Sequence, residues 1–463
     1  MVLLSVPAIA AICSLGIYAL PTGSNSNDHS EPGYLVKLKS GETFRGFLNS
    51  VPCSTLAQAI ENTVGVTVGR TFCFGSFRAM SVESASREML VKLRQNPMVE
   101  AVIPNFIVDA FENEEEEEED DDDNGNDNNE EGRDTKYDNY DDEEEFPEII
   151  EIQKGAPRHL ARISRRTQLS FDLKDPEAYR WRYNYYYNKD TSGESVRAYI
   201  LDSGIYADHQ DLEDRVEFGH DFTQEGPGDL NGHGTHVAGI VGSRTFGVAK
   251  NVTLVDVKCL DSKGHGSLLT VLSAVEFAVR DCQKYPKKHC VANLSLGAIK
   301  NAVINQAVAA AVRANVAVVV AAGNSNMNAC WSSPASASEA ITVGAFDDRI
   351  DTIAKFSNWG PCVDIFAPGV SVASLPNKPN HKFVVFSGTS MAAPSVCGVV
   401  ALLLDEGVPV DQIKETLLER ATGGVFQRRT LLFKPNTVNK ILFNGIDGQD
   451  DGIDVQKGEG GRV

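Results

Sequence analysis

Residues 388–394 read Gly-Thr-Ser-Met-Ala-Ala-Pro, and this stretch says more about the fold than any other part of the chain. A serine that follows a Gly-Thr turn and precedes a run of small residues is typical of a helix start. Backbone N–H groups point outward there, beside an exposed hydroxyl. We therefore expect Ser390 to begin a helix and to present its hydroxyl as a nucleophile.

Two earlier segments complete a catalytic pattern. Asp202 lies in Asp-Ser-Gly directly after the apolar run 196–201, and His233 lies in Gly-His-Gly-Thr-His at 232–236. A serine hydroxyl needs an adjacent base, which His233 would supply, and Asp202 would hold the imidazole in the required tautomer. The order Asp, His, Ser along the chain is that of subtilisin.

Asn324 adds a fourth part to this pattern. It closes Ala-Ala-Gly-Asn at the end of the apolar run 316–322. Its amide and the backbone N–H of Ser390 would donate to a developing oxyanion. Each of the four residues alone has an ordinary structural interpretation as a cap, loop or turn residue. Their common order, at expected strand ends and helix starts, favours the catalytic interpretation.

The fold class follows from alternating apolar runs. We predict buried parallel strands at 196–201, 252–257, 291–295, 316–322 and 341–345. Helices are expected at 268–284 and 301–313, between these strands. Such alternation predicts an α/β fold with a doubly wound parallel sheet and a site at the carboxyl ends of its strands. Asp202 and Asn324 both fall at such ends.

Together these blocks resemble the subtilisin-like serine proteases (peptidase family S8), specifically the proteinase K-type branch and the fungal cerevisin, or vacuolar protease B, type. The resemblance covers about residues 155–447 and implies a serine endopeptidase with an extended cleft. Further matching blocks are Ala-Arg-Ile-Ser at 161–164, Phe-Gly-Val-Ala at 246–249, Ala-Asn-Leu-Ser-Leu-Gly at 292–297, Ser-Asn-Trp-Gly at 357–360 and Ile-Leu-Phe-Asn-Gly at 441–445.

The resemblance also implies how a peptide would bind. The pocket for the side chain before the scissile bond would be lined by Ser295, Leu296, Gly297, Ala321, Ala322 and Gly323. Gly264 and Gly266 would lie on a strand that pairs with the substrate backbone. No acidic residue occurs in these pocket segments, so we expect a preference for apolar or aromatic side chains there. Ala298, Ser395 and Val237 depart from the residues usual in the family, and these departures leave the specificity and the rate open but not the reaction.

Ahead of the catalytic region, the chain divides into three segments. The apolar, uncharged residues 1–20 predict a signal peptide, with an uncleaved signal anchor as the alternative. Residues 32–110 resemble the inhibitor I9 propeptide of subtilases, a small α+β ferredoxin-like domain with strands expected at 34–38, 74–80 and 99–105 and a helix at 86–95. Residues 113–147 are an acidic linker that we expect to be disordered, and 448–463 would form a flexible tail.

Charge and organisation indicate the partners. The net charge of −21 argues against nucleic acid. We expect a monomer that acts on protein or peptide substrates and is inhibited by its own propeptide. Removal of the propeptide is predicted between the linker and Ile163, within residues 145–157. The predicted location is the secretory pathway, with the cell surface, the vacuole and a spore wall left open.

The cysteines, a metal and a glycan give further expectations. The resemblance implies a disulfide between Cys330 and Cys362. Cys282 can pair with Cys290 across the loop 283–289, and Cys259 and Cys397 can stay free and buried, but the sequence leaves the pairing of these four cysteines open. No cofactor is expected for catalysis. The resemblance implies a structural calcium ion, bound by Asp364 and the carbonyl groups of Ser338 and Ala340; the alternative is that Asp364 caps a turn. Asn251, in a sequon at a surface turn, is the expected glycosylation site.

Two alternatives to a protease remain. One is a catalytically silent protein of the same fold with a structural role in a cell or spore wall; the complete set of Asp202, His233, Ser390 and Asn324 argues against it. The other is a lipase or esterase. The absence of a Gly-x-Ser-x-Gly elbow at 388–392 and the order of the three catalytic residues argue against that class.

Overall fold

The computed structural model describes residues 33–39, 52–111, 147–171, 182–379 and 381–448. The predicted signal peptide, nearly all of the acidic linker and all but one residue of the predicted tail lie outside these ranges. The described residues form a small N-terminal unit and a large α/β unit, which pack against each other.

The N-terminal unit is an antiparallel sheet covered on one face by two helices. Its elements are β1 (Tyr34–Leu38), α1 (Cys53–Val64), β2 (Val68–Phe74), β3 (Phe77–Val82), α2 (Arg87–Gln95) and β4 (Val99–Pro104). The strands pair in the order β2-β3-β1-β4. The helix-covered face buries residues such as Val36, Ile60 and Leu93. Because side chains alternate across a strand, Leu35 and the rings of Phe72 and Phe77 point the other way and join a core of the large unit.

Two details of this unit differ from the sequence predictions. The single strand expected at 74–80 is a hairpin, because Gly75 adopts a positive φ of 48° between β2 and β3. The helix α1 was not predicted. Its buried residues Leu56, Ala57, Ile60 and Val64 do follow helical spacing, and that pattern was the available signal.

After β4, the described chain forms one strand before the acidic linker and three further elements directly after it. The strand β5 (Ile107–Ala110) ends the N-terminal part of the described chain. Residues after the linker form β6 (Ile150–Ala156), α3 (Arg158–Ile163) and β7 (Tyr183–Asn188), and β6 pairs antiparallel with β7. Residues 150–156 are therefore an integral strand of the large unit.

The remaining elements build the large unit. They are β8 (Val196–Asp202), β9 (Val216–Asp221), α4 (His233–Gly242), β10 (Thr253–Lys258), β11 (His265–Ser267), α5 (Leu268–Cys282), β12 (His289–Leu294), β13 (Leu296–Ile299), α6 (Ala302–Arg313), β14 (Ala317–Ala321), β15 (Ser332–Ser333), β16 (Ile341–Asp347), β17 (Thr352–Ile353), β18 (Ile365–Pro368), β19 (Val372–Ser374), β20 (Val384–Phe386), α7 (Thr389–Asp405), α8 (Val410–Arg420), β21 (Thr422–Gly423), α9 (Arg428–Leu432) and β22 (Lys440–Ile441).

The central sheet has the order β21-β22-β18-β16-β14-β12-β8-β10-β9, and its pairs from β22 to β9 are parallel. Helices α4, α7 and α8 contribute to the core on one face, and α5 and α6 to the core on the other. All seven residues of β8 are buried because both faces are covered. The predicted doubly wound α/β fold is confirmed, and the predicted strands agree with the observed ones to within about two residues.

Disulfides and membrane-spanning potential complete the description. Cys330 is paired with Cys362, as the resemblance implied. Cys282 is paired with Cys290, a pairing that the sequence left open, and Cys53 is paired with Cys73 in the N-terminal unit. Cys259 and Cys397 are free and buried. Within the described ranges, no single helix is both long and apolar enough to cross a membrane. The pair α7 and α8 meets that composition only across a 115° bend.

Candidate active site

The end of β8 and the start of α4 bring two predicted catalytic residues together. Nδ1 of His233 lies 2.7 Å from Oδ1 of Asp202, and both side chains are buried. The same Oδ1 accepts a hydrogen bond of 2.8 Å from the N–H of Ser203. Because an ionised carboxylate only accepts, Nδ1 carries the proton in this contact. That tautomer puts the basic lone pair of His233 on Nε2.

A second carboxylate, not predicted from the sequence, holds the start of α4. Oδ1 of Asp229 accepts from the hydroxyl of Ser203 at 2.9 Å and from the N–H of Gly232 at 2.8 Å. Its Oδ2 accepts from the N–H and the hydroxyl of Thr235, at 2.9 and 2.6 Å. Asp229 therefore satisfies N–H groups that a helix start leaves unpaired, and it fixes the turn from which His233 projects.

Ser390 and Asn324 converge on one carbonyl oxygen. The hydroxyl of Ser390 donates to the carbonyl oxygen of Phe111 at 2.7 Å, and Nδ2 of Asn324 donates to the same oxygen at 3.0 Å. The Ser390 hydroxyl also lies 3.2 Å from the carbonyl oxygen of Ser295. Ser390 is the second residue of α7, as the sequence predicted for a helix start.

The orientation of the Asn324 amide is fixed by its neighbours. Its Oδ1 accepts from the backbone N–H of Thr389 at 2.9 Å and from the Thr389 hydroxyl at 2.8 Å. With the oxygen engaged, the NH2 group must face Phe111. Asn358 supports the loop after Asn324, since its Oδ1 accepts from the N–H of Ser325 at 3.1 Å and its Nδ2 donates to the Ala322 carbonyl at 2.7 Å. Ser-Asn-Trp-Gly at 357–360 was the sequence signal for this support.

The strand β5 occupies the predicted substrate groove. It pairs antiparallel with β11 on one side, where Gly266 faces Val108, and with β13 on the other, where Gly297 faces Asp109. The N–H of Ala110 donates to the Gly264 carbonyl at 3.0 Å. Backbone from the N-terminal unit therefore takes the middle position of a small sheet, in the manner expected of a bound peptide.

The ring of Phe111 lies in the predicted side-chain pocket. A Cβ added to Gly297 would come within 2.3 Å of the ring, and one added to Gly323 within 3.5 Å. The absence of a side chain at Gly297 is what admits the ring. Of the other predicted lining residues, Ser295 accepts the N–H of Phe111 at 3.3 Å through its carbonyl, and Leu296, Ala321 and Ala322 are fully buried at the ends of the adjoining strands.

The groups predicted to bind calcium have a different partner. Nζ of Lys414 lies 2.8 Å from Oδ1 of Asp364 and donates to the carbonyl oxygens of Ser338, at 3.0 Å, and Ala340, at 2.8 Å. An ammonium group thus contacts all three predicted ligands. These residues do not fit a calcium ion in this chain, because the space at which their oxygens converge already holds a cation.

Two other ionisable groups near the site are excluded from proton transfer. Burial is the main cause that lowers the pKa of His236 to about 3, and its Nε2 contacts the carbonyl oxygen of Val372 at 3.0 Å. The second histidine of the Gly-His-Gly-Thr-His segment is therefore neutral and structural. Burial, with the nearby Asp202 and Asp256, raises the pKa of the Cys259 thiol well above its usual value.

Asn251, the expected glycan acceptor, is exposed.

Comparisons with known proteins agree with this geometry. A family model described as the subtilase family matches residues 193–455. The chain is 47% identical over 424 residues to the subtilase-type proteinase RRT12 of Saccharomyces cerevisiae, an alignment that covers 91% of this chain and 84% of that protein. It is 34% identical to cerevisin of the same species, over 79% of this chain and 53% of cerevisin.

A solved structure is also similar. The crystal structure of a cold adapted subtilisin-like serine proteinase superposes with a TM-score of 0.55 at 36% identity. The match covers 63% of this chain and 98% of the other.

Proposed function

The chain belongs to the subtilase family, and from that premise we propose that it is a serine endopeptidase of the secretory pathway, made as a self-inhibited zymogen. Asp202, His233 and Ser390 form its catalytic triad, and Asn324 is its oxyanion donor. Residues 34–111 are its inhibitory propeptide. Its substrates are proteins or peptides, and no cofactor takes part in catalysis.

One observation carries this proposal. The carbonyl oxygen of Phe111 accepts hydrogen bonds from both Ser390 and Asn324, while the preceding residues pair with the strands on either side. Oxyanion donors belong within about 2.7–3.1 Å of the oxygen on which charge develops. The Asn324 amide, at 3.0 Å, is the oxyanion donor here, and Oγ of Ser390 lies beside the same carbonyl group as the nucleophile. In this proposal the carbonyl carbon of Phe111 is the electrophile, and the bond to be cut joins Phe111 to Glu112.

The reaction at this bond follows from the residues present. Oγ of Ser390 adds to the carbonyl carbon of Phe111 as His233 takes the hydroxyl proton on Nε2. Asp202 stabilises the imidazolium, and the Asn324 amide stabilises the oxyanion. The bond to the nitrogen of Glu112 then breaks, and His233 gives its proton to that nitrogen. Water hydrolyses the resulting ester by the same route in reverse, and Ser390 regains its proton.

The cleavage site that we propose differs from the one predicted from the sequence. Residues 145–157 were expected to contain the cut, but 150–156 form β6, which is paired with β7 in the large unit. Phe111 instead sits against the proposed nucleophile. We propose that Ser390 first cuts after Phe111 within its own chain, and that any trimming of the linker follows this step.

The interface with the N-terminal unit supports inhibition after the cut. Buried Glu276 on α5 accepts from the N–H of Cys73 at 2.9 Å and contacts the guanidinium of Arg70 at 3.4 Å. Phe74 and Phe77 are buried in a core shared with α5 and α6. These contacts do not depend on the bond after Phe111, so the cleaved unit is expected to stay bound with its carboxyl end in the groove.

The proposed secretory route rests on the disulfide bonds and on the composition of the N-terminal segment. The three disulfides in the described residues suit an oxidising compartment. Residues 1–20 have the composition of a signal peptide. We propose that the final location is the cell surface, the vacuole or a spore wall, and that Asn251 is glycosylated on the way.

A peptide library tests the activity and the specificity together. The processed protein, freed of its N-terminal unit, is expected to cut after aromatic and large apolar residues, since the segments 295–297 and 321–323 beside Phe111 contain no acidic residue. A serine-directed phosphonate should abolish this cleavage. An absence of any cleavage would favour the catalytically silent alternative, and predominant cleavage after Arg or Lys would contradict the proposed pocket.

A further inference from the structure

Three segments of the large unit meet at a single charged side chain. These are α8, which carries Lys414, the turn 338–340 before β16, and Asp364 just before β18. We propose that the ammonium of Lys414 replaces the calcium ion at this position, so that the connection between the three segments is independent of metal. This inference does not rest on the proposed function.

The geometry matches an ammonium group and not a calcium ion. A lysine ammonium has three N–H donors, and here three acceptors lie at 2.8, 2.8 and 3.0 Å. These are ordinary charge-assisted hydrogen-bond lengths. Calcium takes six to eight oxygen ligands at about 2.3–2.6 Å. Oδ2 of Asp364 is also engaged, because it accepts from the N–H of Thr342 at 2.8 Å.

The charge balance also favours an ammonium group over a calcium ion. Asp364 contributes one negative charge, and the carbonyl groups of Ser338 and Ala340 contribute none. In the part of the chain that the structure describes, no cluster of three or more His, Cys, Asp or Glu side chains is placed to hold a metal. A single positive charge therefore neutralises the site, whereas a divalent ion would leave an excess.

The Asp364 carboxylate needs this partner because it is largely removed from water. Its side chain is 18% exposed. Burial raises the pKa of Asp364, and the ammonium of Lys414 opposes that rise by favouring the ionised carboxylate. Without Lys414 the carboxylate and two carbonyl groups would lose a shared donor at once. A tethered cation also cannot be removed by a chelator.

Thermal melting of the full chain in a Ser390→Ala background tests this inference, since that change prevents self-digestion. The parent is expected to melt at the same temperature with calcium chloride or with a chelator. Lys414→Met, which keeps the aliphatic stem, should lower the melting temperature by roughly 5 °C or more. Adding Asp364→Asn to Lys414→Met should restore about half of that loss, because no unpaired carboxylate then remains.

Lys440→Met is the matched control. Nζ of Lys440 donates to the Leu418 carbonyl at the far end of the same helix, at 2.7 Å, and this contact involves no carboxylate. We expect a much smaller change in this variant. Equal melting temperatures for Lys414→Met and Lys440→Met would overturn the inference. So would a calcium-dependent rise in the parent that Asp364→Asn abolishes.

Discussion

Asn324 shows how one residue is prepared for a chemical role before any substrate arrives. Thr389 engages its Oδ1 twice, so Nδ2 points at the carbonyl oxygen of Phe111. An amide held in place by the protein requires no reorganisation when charge develops on that oxygen. The strength of this donor should therefore appear in the turnover rate and not in substrate binding.

Asn324→Ala in the processed enzyme is predicted to lower kcat by about 100- to 1000-fold with little change in KM. Steady-state kinetics on a peptide with Phe before the scissile bond measures both constants. Asn305→Ala, on α6 and outside the site, is the control, since that amide donates to the Ser336 hydroxyl. A kcat within threefold of the parent value would remove Asn324 from the oxyanion site.

At the residue scale, sequence alone located the groups whose chemistry depends on their identity. Asp202, His233, Ser390 and Asn324 stand in recognisable segments at strand ends and helix starts. The structure pairs Asp202 with His233 and brings Ser390 and Asn324 to the carbonyl oxygen of Phe111. Phe111 could not be found this way, because its position depends on contacts with residues far along the chain. Lys414 was missed for a similar reason: the resemblance indicated three oxygens but not the helix that packs against them.

At the element scale, the start of α4 depends on a glycine with a positive φ and on one carboxylate. Gly232 adopts a φ of 110° just before His233, and Asp229 accepts the N–H groups of Asn231, Gly232 and Thr235. Asp229 also binds the hydroxyl of Ser203, the residue after Asp202. One carboxylate thus ties the end of β8 to the start of α4, and it sets the distance between Asp202 and His233.

Asp229→Ala is predicted to reduce kcat on the order of 10- to 100-fold, because a small shift of the base relative to the nucleophile is costly. It should also lower the melting temperature, since several buried donors lose their acceptor. The control is Asp221→Ala, which removes a carboxylate that likewise accepts from turn N–H groups, those of Thr223 and Gly226, but has no contact with α4. Equal effects of the two changes on kcat would contradict the positioning role of Asp229.

At the element scale, prediction succeeded where burial on both faces makes the pattern simple. β14 is a continuous apolar run and β8 is nearly so, with Arg197 as its internal exception, because helices cover the sheet on each side. It failed where one glycine decides the path of the chain. The run 74–80 is apolar enough for a strand, but Gly75 turns it into a hairpin. Pairing of β5 with β11 and β13 joins distant segments and leaves no local signal.

For the molecule as a whole, buried neutral histidines predict how stability depends on pH. Burial is the main cause that lowers the pKa of His159 to about 3, with Arg158 and Lys250 adding to the effect and a hydrogen bond to the Phe246 carbonyl opposing it. The unfolded chain takes up this proton near pH 6.5. The folded state is therefore favoured above that pH, and this stability is lost as the pH falls from 6.5 towards 3.

Denaturant unfolding of the full-length Ser390→Ala chain at pH 7.5 and 4.5 measures this loss. His159→Gln keeps a donor for the Phe246 carbonyl but does not titrate. It is predicted to lose about 2–3 kcal/mol less stability on acidification than its parent. His220→Gln, at an exposed position, serves as the control and should behave like the parent. A loss in His159→Gln as large as in the parent would contradict the role of His159.

The large-scale arrangement explains why an inhibitory N-terminal unit could be predicted from the sequence, whereas the residue that enters the pocket could not. Side chains alternate between the two faces of β1. Those on one face pack against the helices of the N-terminal unit, and those on the opposite face are apolar and join the core that contains α5 and α6. This docking directs β5 into the groove and brings Phe111 to Ser390. The resemblance placed an inhibitory unit ahead of a protease, whereas the residue that enters the pocket is determined by the three-dimensional path of the chain.

The central claim is that Ser390 cuts its own chain after Phe111, and the mass of the released N-terminal fragment tests it most directly. Intact-mass and C-terminal analysis of the fragment from the wild-type chain should give a carboxyl end at Phe111. The Ser390→Ala chain should remain uncut. A fragment that ends elsewhere, or a Ser390→Ala chain processed like the wild type, would contradict the claim.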